Sequence, residues 1–254
     1  MIKSKIFRDQ KSISHYFFNR LGGTSKGIYK SLNCGKGSKD ENGAIEENLV
    51  AISRNYGLKK SDIITMHQTH SSNAVVLDSS NKSEILKCDG IVTKENNKIL
   101  SVLTADCAPL LFYEVKNEII GACHAGWKGA LNGIIQNTIL QITKLGGKRD
   151  NIRCSIGPCI RQKSYEVRLP FYKNFIKQDQ DNARFFQKNH NNRYLFSLTE
   201  FILKILSDEQ ITNYEVVDVD TYSEETLCFS YRRNYKKNIT DYGRMISTIV
   251  IKDS

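Results

Sequence analysis

The sequence lacks the features that mark several protein classes. It contains no apolar run of membrane-spanning length. Its first segment, MIKSKIFRDQKSISHYFF, has no apolar core of the roughly 7–15 residues that a signal peptide needs. Only three prolines occur, and there is no internal repeat or low-complexity tract. We therefore expect a cytoplasmic protein with no membrane partner, folded as a single domain over residues 1–254.

The cysteines do not form a recognisable framework. There are seven of them, an odd number, at scattered spacings and without a CxxC pair. This pattern excludes a small disulfide-stapled fold and a zinc ribbon. We expect most of them to be small buried hydrophobic residues. The seven are Cys34, Cys88, Cys107, Cys123, Cys154, Cys159 and Cys228.

Charge is plentiful but not concentrated. The formal net charge is +10, yet Lys, Asn and Ile are frequent throughout and the basic residues form only short clusters such as YRRNYKK. This distribution argues against a nucleic-acid partner and fits an anionic small substrate such as phosphate. Apolar residues make up 40% of the chain, enough for a sizeable core, and we expect a monomer.

Apolar patterning predicts a mixture of strands and helices. Alternating or continuous apolar runs predict strands, with a hairpin around Lys116-Asn117. A helical stripe precedes Gly146-Gly147, and Ser197 with Glu200 forms a capping-box pattern before a second helix. The segment Gly22–Asn48 predicts a long loop with about one turn of helix near its end. Because strands and helices do not alternate regularly, we predict the α+β class, with mixed β-sheets and helices packed on them, rather than a doubly wound sheet. The predicted strands are 73–77, 98–104, 109–115, 118–124, 151–156, 214–222 and 244–252; the helical stripe is Leu131, Ile134, Ile135, Thr138, Ile142 and Leu145.

Polar groups interrupt the apolar stretch LTADCAPLLFYEVKNEIIGACHAGWKG. Successive side chains of a strand point to opposite faces, so Cys123 and His124 should not share one. The same alternation separates His67 from His70 in MHQTHSS. A site that needs two histidines could then combine His124 with either of them. Taken alone, Cys107 also fits an ordinary core thiol.

Five blocks of sequence resemble a known family. They are HQTHSSNAVVL, CDGIVT, LSVLTADCAPLLF, GACHAGWKGALNGI and IGPCIRQKSYEV, in this order, with weaker matches at KSLNCG and FSYRRN…YGRMIS. Together they resemble the YfiH/laccase-domain family, whose members are also described as multicopper polyphenol oxidase-like proteins or purine nucleoside phosphorylases. The resemblance spans most of the chain and implies the layered fold of cysteine-hydrolase type that YfiH-like proteins share.

The resemblance implies a zinc site made by His70, Cys107 and His124. A thiolate and two neutral imidazoles suit the borderline-soft Zn²⁺ ion, with copper as the less favoured alternative. Three protein ligands leave one coordination position open, as in catalytic rather than structural zinc sites. Whether Cys107 acts as a ligand or as a nucleophile stays open, because a zinc-bound thiolate attacks poorly.

Further positions follow from the same motifs. Lys128 begins a helix after HAGW and could add charge to an anion site there. Asp106 and Asp89 are expected to support or cap rather than to catalyse, and Trp127 to pack in the core or stack on a purine. The residues expected at the substrate are Asn33, Lys128, Arg233 and Arg244.

More than one activity is implied. The first is phosphorolysis of adenosine, inosine, guanosine and methylthioadenosine, with adenosine deamination as a companion reaction. The alternative is an amidohydrolase that removes wrongly incorporated L-Ser from a peptidoglycan precursor. A copper-dependent polyphenol oxidase fits less well, because multicopper oxidation needs many more than the five histidines present. A non-catalytic, metal-stabilised binding protein is the fourth hypothesis.

Overall fold

The computed structural model describes residues 1–78, 86–190 and 192–253. The strands are β1 Ile13–Phe17, β2 Ile63–Ile64, β3 Ala74–Val76, β4 Gly90–Thr93, β5 Ile99–Thr104, β6 Ala108–Glu114, β7 Ile119–Ala125, β8 Ile152–Ile156, β9 Glu166–Arg168, β10 Phe186–Lys188, β11 Arg193–Phe196, β12 Asn213–Val216 and β13 Met245–Ile251. The α-helices are α1 Asn42–Arg54, α2 Trp127–Leu131, α3 Ile134–Lys144, α4 Leu169–Gln178, α5 Leu198–Asp208 and α6 Tyr231–Lys236.

Two large sheets stack face to face. One has the strand order β12-β8-β6-β7-β4-β3 and the other β1-β13-β5-β2. Leu111 and Ile120 of the six-stranded sheet pack against Leu100 and Ile249 of the four-stranded sheet. Helices α3 and α5 cover the outer face of the six-stranded sheet. Helix α1 covers the outer face of the four-stranded sheet, which gives a helix–sheet–sheet–helix order.

Burial on both faces explains the continuous apolar runs. Every residue of β6, β7 and β13 is buried, because each of these strands has a sheet on one side and a helix or loop layer on the other. Such strands lose the apolar–polar alternation of a half-exposed strand. Their apolar side chains then serve two different cores, as Phe112 does on the helix side and Leu111 on the sheet side.

A third, small sheet of order β10-β11-β9 closes the helix side. With α4 it forms an aromatic cluster in which Phe171, Phe175 and Phe196 contact one another. Trp127 packs against this cluster, 4.6 Å from Phe171 between ring centroids. The cluster therefore supports the start of α2, directly after the HAG residues of the HAGW motif.

Several sequence predictions are confirmed in detail. The hairpin is formed by β6 and β7, with Leu110 opposite Cys123. The hydroxyl of Ser197 caps α5 by accepting a hydrogen bond from the Glu200 amide at 3.2 Å. The mixed, non-alternating order of elements matches the predicted α+β class. None of the helices among the described residues combines the length and apolar character that a membrane-spanning segment requires.

Other predictions were wrong in part. The segment Gly22–Asn48 was predicted to contain about one turn of helix near its end, but α1 begins at Asn42 and continues beyond the segment to Arg54. The predicted helical stripe is divided into α2 and α3 by Gly133, whose φ of 97° interrupts the helix. The predicted strand over 214–222 is regular only as far as Val216.

Candidate metal centre

Three side chains from distant segments converge. The ligand atoms of His70, Cys107 and His124 all lie within 4.8 Å of one another. The Cys107 Sγ is 3.7 Å from His70 Nε2, and the two imidazole rings meet edge to face with centroids 4.8 Å apart. Tetrahedral zinc with ordinary bond lengths places such donors about 3.4–3.6 Å apart. The donor set and the Cys107–His70 distance therefore fit a single ion.

The three donors come from the ends of strands and the loops beside them. His70 lies in the loop before β3, Cys107 in the bend between β5 and β6, and His124 near the end of β7. Cys123 points into the core beneath α3, whereas its neighbour His124 joins the donor group, as alternation predicted. His67 is exposed and is not part of this group.

The carboxylate of Asp89 holds both histidines. Its Oδ1 accepts a hydrogen bond from His124 Nδ1 at 2.8 Å and from the His70 amide at 3.1 Å. Its Oδ2 accepts from the amide of Ser71 at 2.7 Å and from the Ser71 hydroxyl at 2.6 Å. Burial alone would raise the pKa of Asp89, but the hydrogen bonds from His124 and Ser71 lower it to about 2. A carboxylate that orients a ligating imidazole is the usual support of a metal site.

The amide of Gln68 fixes the loop that carries His70. Its Nε2 donates to the Leu103 carbonyl at 2.8 Å, and its Oε1 accepts from the Leu103 amide at 2.8 Å. The Gln68 side chain thus makes the pair of hydrogen bonds with Leu103 of β5 that the backbone of a neighbouring strand would make. His70 has a φ of 59°, a left-handed conformation that a non-glycine residue keeps only where its surroundings enforce it. The bonds of Gln68 and Asp89 on either side of the loop supply that constraint.

Gly126 leaves room for the donors. A Cβ atom at this position would lie 2.8 Å from Cys107 Sγ and 2.8 Å from His70 Cδ2. The φ of Gly126 is −74°, so its backbone conformation does not itself require glycine. Glycine is required here for lack of space, because any side chain would occupy the gap between Cys107 and His70.

The donors also shift one another's pKa values. Burial alone would raise the pKa of the Cys107 thiol, but the nearby His124 and His70 lower it to about 6. Burial alone would lower the pKa of His124, but the charge of Cys107 and the hydrogen bond to Asp89 raise it to about 9. At neutral pH the metal-free pair is therefore a thiolate beside an imidazolium. Cys107 is the only one of the cysteines in the described residues that is not buried.

Asp106 supports the bend at Cys107 from the other side. It has a φ of 91°, and its carboxylate accepts hydrogen bonds from the hydroxyls of Thr221 and Ser230 at 2.7 and 2.9 Å. The amide of Arg232 adds a third at 2.6 Å. Burial raises the pKa of Asp106, although these hydrogen bonds oppose the rise. The residue caps the first turn of α6 and ties it to the metal centre.

Two of the expected substrate residues are linked to each other. Asn33 is fully buried and its Oδ1 accepts from the Arg244 amide at 2.8 Å. Its Nδ2 donates to Ser38 and Asp40, each at 2.9 Å. The Arg244 guanidinium lies 4.4 Å from the centroid of the Tyr242 ring. Asn33 therefore shapes a loop and positions Arg244, with no group of its own left for a ligand.

The other expected substrate residues are placed differently. Lys128 is exposed in the first turn of α2, two residues after Gly126. Arg233 is only 6% exposed, and its guanidinium donates to the carbonyls of Thr221, Tyr222 and Cys228. Its donors are used to hold the chain before α6, which removes the reason for expecting it at the substrate.

Sequence reasoning missed three residues that shape the centre. Gln68 and Gly126 were visible as fixed members of the quoted blocks, but their roles depend on contacts with Leu103 and Cys107 that the sequence does not show. Arg232 was passed over in favour of its neighbour Arg233. The DG pair that contains Asp89 also fits an ordinary turn, so its link to both histidines could not be read from spacing.

Comparison with known proteins agrees with this architecture. The sequence profile of the family described as "Multi-copper polyphenol oxidoreductase laccase" matches residues 14–252. A purine nucleoside phosphorylase of Rickettsia prowazekii is 36% identical over 218 residues, covering 84% of this chain and 89% of the relative. A purine nucleoside phosphorylase of Haemophilus influenzae is 30% identical over 241 residues, covering 94% of each chain.

Solved structures show the same fold. A Bacillus licheniformis protein named YfiH superposes with a TM-score of 0.89 at 25% identity, covering 96% of this chain and 94% of that one. A Neisseria meningitidis protein, NMB0706, gives a TM-score of 0.85 at 27% identity and covers 96% of each chain. On these matches, the chain belongs to the YfiH-like family of multi-copper polyphenol oxidoreductase laccase proteins.

Proposed function

We propose that the chain is a zinc-dependent purine nucleoside phosphorylase whose metal would be held by His70, Cys107 and His124. The observation that carries the proposal is the convergence of these three donors around one point, with Asp89 fixing both histidines. The names of the Rickettsia prowazekii and Haemophilus influenzae relatives support the reaction class.

The number of metal-binding clusters favours zinc over copper. One soft thiolate and two imidazoles suit either ion, and the family description mentions copper. Oxidation by several coppers needs further ligand clusters, and among the described residues only this His-Cys-His group forms one. A zinc ion here would supply Lewis acidity toward an oxygen of water or substrate.

Phosphorolysis exchanges one bond for another at the sugar. An oxygen of inorganic phosphate forms a bond to C1′ of the nucleoside, and the C1′–N9 bond breaks with its electron pair moving to the purine. A proton neutralises the departing base, and ribose 1-phosphate is the second product. The chain's own contribution would be to orient the reactants and to balance the charge of the phosphate.

Basic side chains beside the centre fit this task. Lys128 is exposed next to the turn that holds Gly126, and it would contribute positive charge to the phosphate. Arg244 is positioned by Asn33 and stacked on Tyr242, and it would approach the substrate from the loop before β13. Arg233 does not enter the proposal, because three backbone carbonyls already use its donors.

The test is a nucleoside screen with purified protein. Adenosine, inosine, guanosine and methylthioadenosine are each incubated with and without phosphate, and bases and sugar phosphates are separated by chromatography. We expect free base together with ribose 1-phosphate, or its methylthio form, only when phosphate is present. Base release that is independent of phosphate would indicate hydrolysis and contradict the proposal.

The same screen separates the other activities. Conversion of adenosine to inosine would show deamination. Release of L-Ser from a Ser-containing muramyl peptide, without nucleoside turnover, would favour the amidohydrolase instead. Elemental analysis of protein purified without added metal distinguishes zinc from copper, and a stoichiometric copper content with phenol oxidation would replace the zinc assignment.

A cysteine variant tests whether nucleoside turnover requires the metal. Cys107→Ala removes the single anionic donor, so we expect loss of both bound metal and nucleoside turnover. Cys34→Ala is the matched control, because this buried cysteine belongs to the cluster beneath α1. Turnover that survives in Cys107→Ala after the metal is lost would show that the reaction does not depend on the metal.

A further inference from the structure

Two consecutive arginines at the start of α6 have opposite environments. Arg233 is buried and bonded to backbone carbonyls, whereas Arg232 is half-buried. The Arg232 guanidinium donates through Nη1 to the Glu166 carbonyl. Within the described residues its other guanidinium N–H groups have no protein partner and no carboxylate neutralises it. An arginine that is held in place yet keeps free donors is suited to bind an anion.

The backbone of Arg232 is tied directly to the metal centre. Its amide donates to Asp106 at 2.6 Å, and Asp106 immediately precedes Cys107. The carboxylate of Asp106 is occupied by this amide and by two hydroxyls, so it does not take up the guanidinium. Arg232 is therefore anchored at the Cys107 bend while its charge remains available.

The ring of Tyr165 lies against the Arg232 guanidinium. The Cζ atom of Arg232 lies 5.1 Å from the centroid of the Tyr165 ring, within the range of a cation–π contact. The ring packs edge to face on Phe171 and Phe196, so it is fixed by the aromatic cluster. Burial raises the pKa of Tyr165, and the charge of Cys107 raises it further. The phenol is thus neutral.

We propose that Arg232, seated on Tyr165 and anchored through Asp106, is the residue that binds inorganic phosphate at this site. The inference rests on the proposed phosphorolysis and assigns its anion-binding group. A planar guanidinium can present two parallel N–H groups to two phosphate oxygens, which a lysine cannot do. Tyr165 and the Glu166 carbonyl hold the plane in one orientation, so that little freedom is lost when phosphate binds.

The kinetic test separates this role from a structural one. Arg232→Gln removes the charge and is expected to raise the KM for phosphate about ten- to hundredfold, the range for a hydrogen bond to a charged group. The KM for nucleoside and the bound-metal content should stay within about twofold of the wild type. Arg232→Lys keeps the charge without the planar fork and should fall between the two.

Three further variants complete the kinetic test. Arg54→Gln removes the same charge from an exposed position in α1, on the opposite outer layer, and should leave the KM for phosphate unchanged. Tyr165→Leu removes the ring beneath the guanidinium, whereas Tyr165→Phe keeps it. We expect the leucine variant, but not the phenylalanine variant, to raise the KM for phosphate.

A binding measurement distinguishes this inference from the proposed reaction. Inorganic phosphate is titrated into metal-loaded wild-type and Arg232→Gln protein by calorimetry. Binding that depends on Arg232 supports the assignment even if no nucleoside is cleaved, in which case only the proposed reaction fails. Phosphorolysis with an unchanged phosphate KM in Arg232→Gln overturns the assignment and leaves the reaction standing. Absence of phosphate binding by the wild type overturns the assignment as well.

Discussion

The carboxylate of Asp89 accepts a hydrogen bond from His124 Nδ1 at 2.8 Å. Because Nδ1 is engaged in this bond, the other ring nitrogen, Nε2, is the one that faces Cys107 and His70. The same carboxylate bonds the His70 amide, so one buried side chain sets the position of two donors that lie 54 residues apart (124 − 70). Asp89 is itself fully buried, which leaves it no alternative partner in solvent.

Replacing Asp89 by Asn should weaken metal binding without unfolding the protein. Asparagine keeps the shape but loses the negative charge that stabilises the orientation of His124, and its amide cannot accept all the bonds at once. We expect zinc affinity to fall about ten- to hundredfold. Competition with a chromophoric chelator measures the change, and Asp9→Asn at an exposed position serves as the control. An unchanged affinity would mean that the loop, rather than the carboxylate, orients the histidines.

Adding one methyl group at Gly126 should close the metal site. The new Cβ would meet Cys107 Sγ and His70 Cδ2 at 2.8 Å, closer than atoms of this kind approach one another. Gly126→Ala is therefore expected to lose stoichiometric metal while its circular dichroism spectrum stays that of the wild type. Gly43→Ala in α1, where a Cβ meets nothing within 4 Å, should retain the metal and gain up to about 1 kcal/mol of stability. Full metal content in Gly126→Ala would contradict the steric argument.

Metal binding should release a defined number of protons. The pKa values of about 6 for Cys107 and about 9 for His124 belong to a coupled pair. Between these values the thiol is already ionised and the imidazole is protonated, so binding displaces about one proton, from His124. The contribution of this pair should approach two protons below pH 6 and zero above pH 9. Apparent affinity should accordingly rise about tenfold per pH unit from 6 to 9 and then level off.

Calorimetry in buffers of different ionisation enthalpy measures that number directly at pH 7.5. His67→Ala is the control, because His67 is exposed and outside the donor group, and its removal should leave proton release unchanged. Release of no proton at pH 7.5 would show that His124 is neutral in the metal-free protein, and the thiolate–imidazolium pair would then be wrong.

Local chemistry allowed much of the fold to be predicted. The hairpin of β6 and β7 and the cap at Ser197 were predicted because each depends on neighbours in sequence. Only about one turn of α1 was predicted, because Asn42 and Gly43 at its start are typical of loops, and the burial of Ile45 and Leu49 against the four-stranded sheet is what shows the full helix. Strand alternation also predicted that Cys123 and His124 lie on opposite faces, as they do.

The site was harder to predict where function depends on contacts between distant segments. Three donors could be named from motifs, but spacing alone could not choose between His67 and His70, since only the folded loop decides which one reaches Cys107. The adjacent arginines illustrate the same limit. Arg232 and Arg233 are identical in sequence terms, and only burial shows which guanidinium is used by backbone carbonyls.

Gln68 offers the sharpest test of how the His70 loop is held. Its two hydrogen bonds to Leu103 connect that loop to the strand that leads to Cys107. Gln68→Ala leaves both Leu103 groups without these partners, and we expect a loss of about 1–3 kcal/mol in the free energy of unfolding. Because His70 is held in a left-handed conformation, the freed loop should also relax away from the other donors. Metal affinity should therefore fall by more than the loss of stability alone would cause.

The comparison needs a control that changes the same residue type elsewhere. Gln187→Ala on β10 removes an exposed glutamine and should alter neither property. Urea unfolding of the metal-free proteins gives the stability difference, and chelator competition gives the affinity difference. If Gln68→Ala loses stability but binds zinc as the wild type does, Asp89 alone is sufficient to place His70, and the constraint from β5 is purely structural. If both fall together, the loop conformation that Gln68 imposes is part of the metal site.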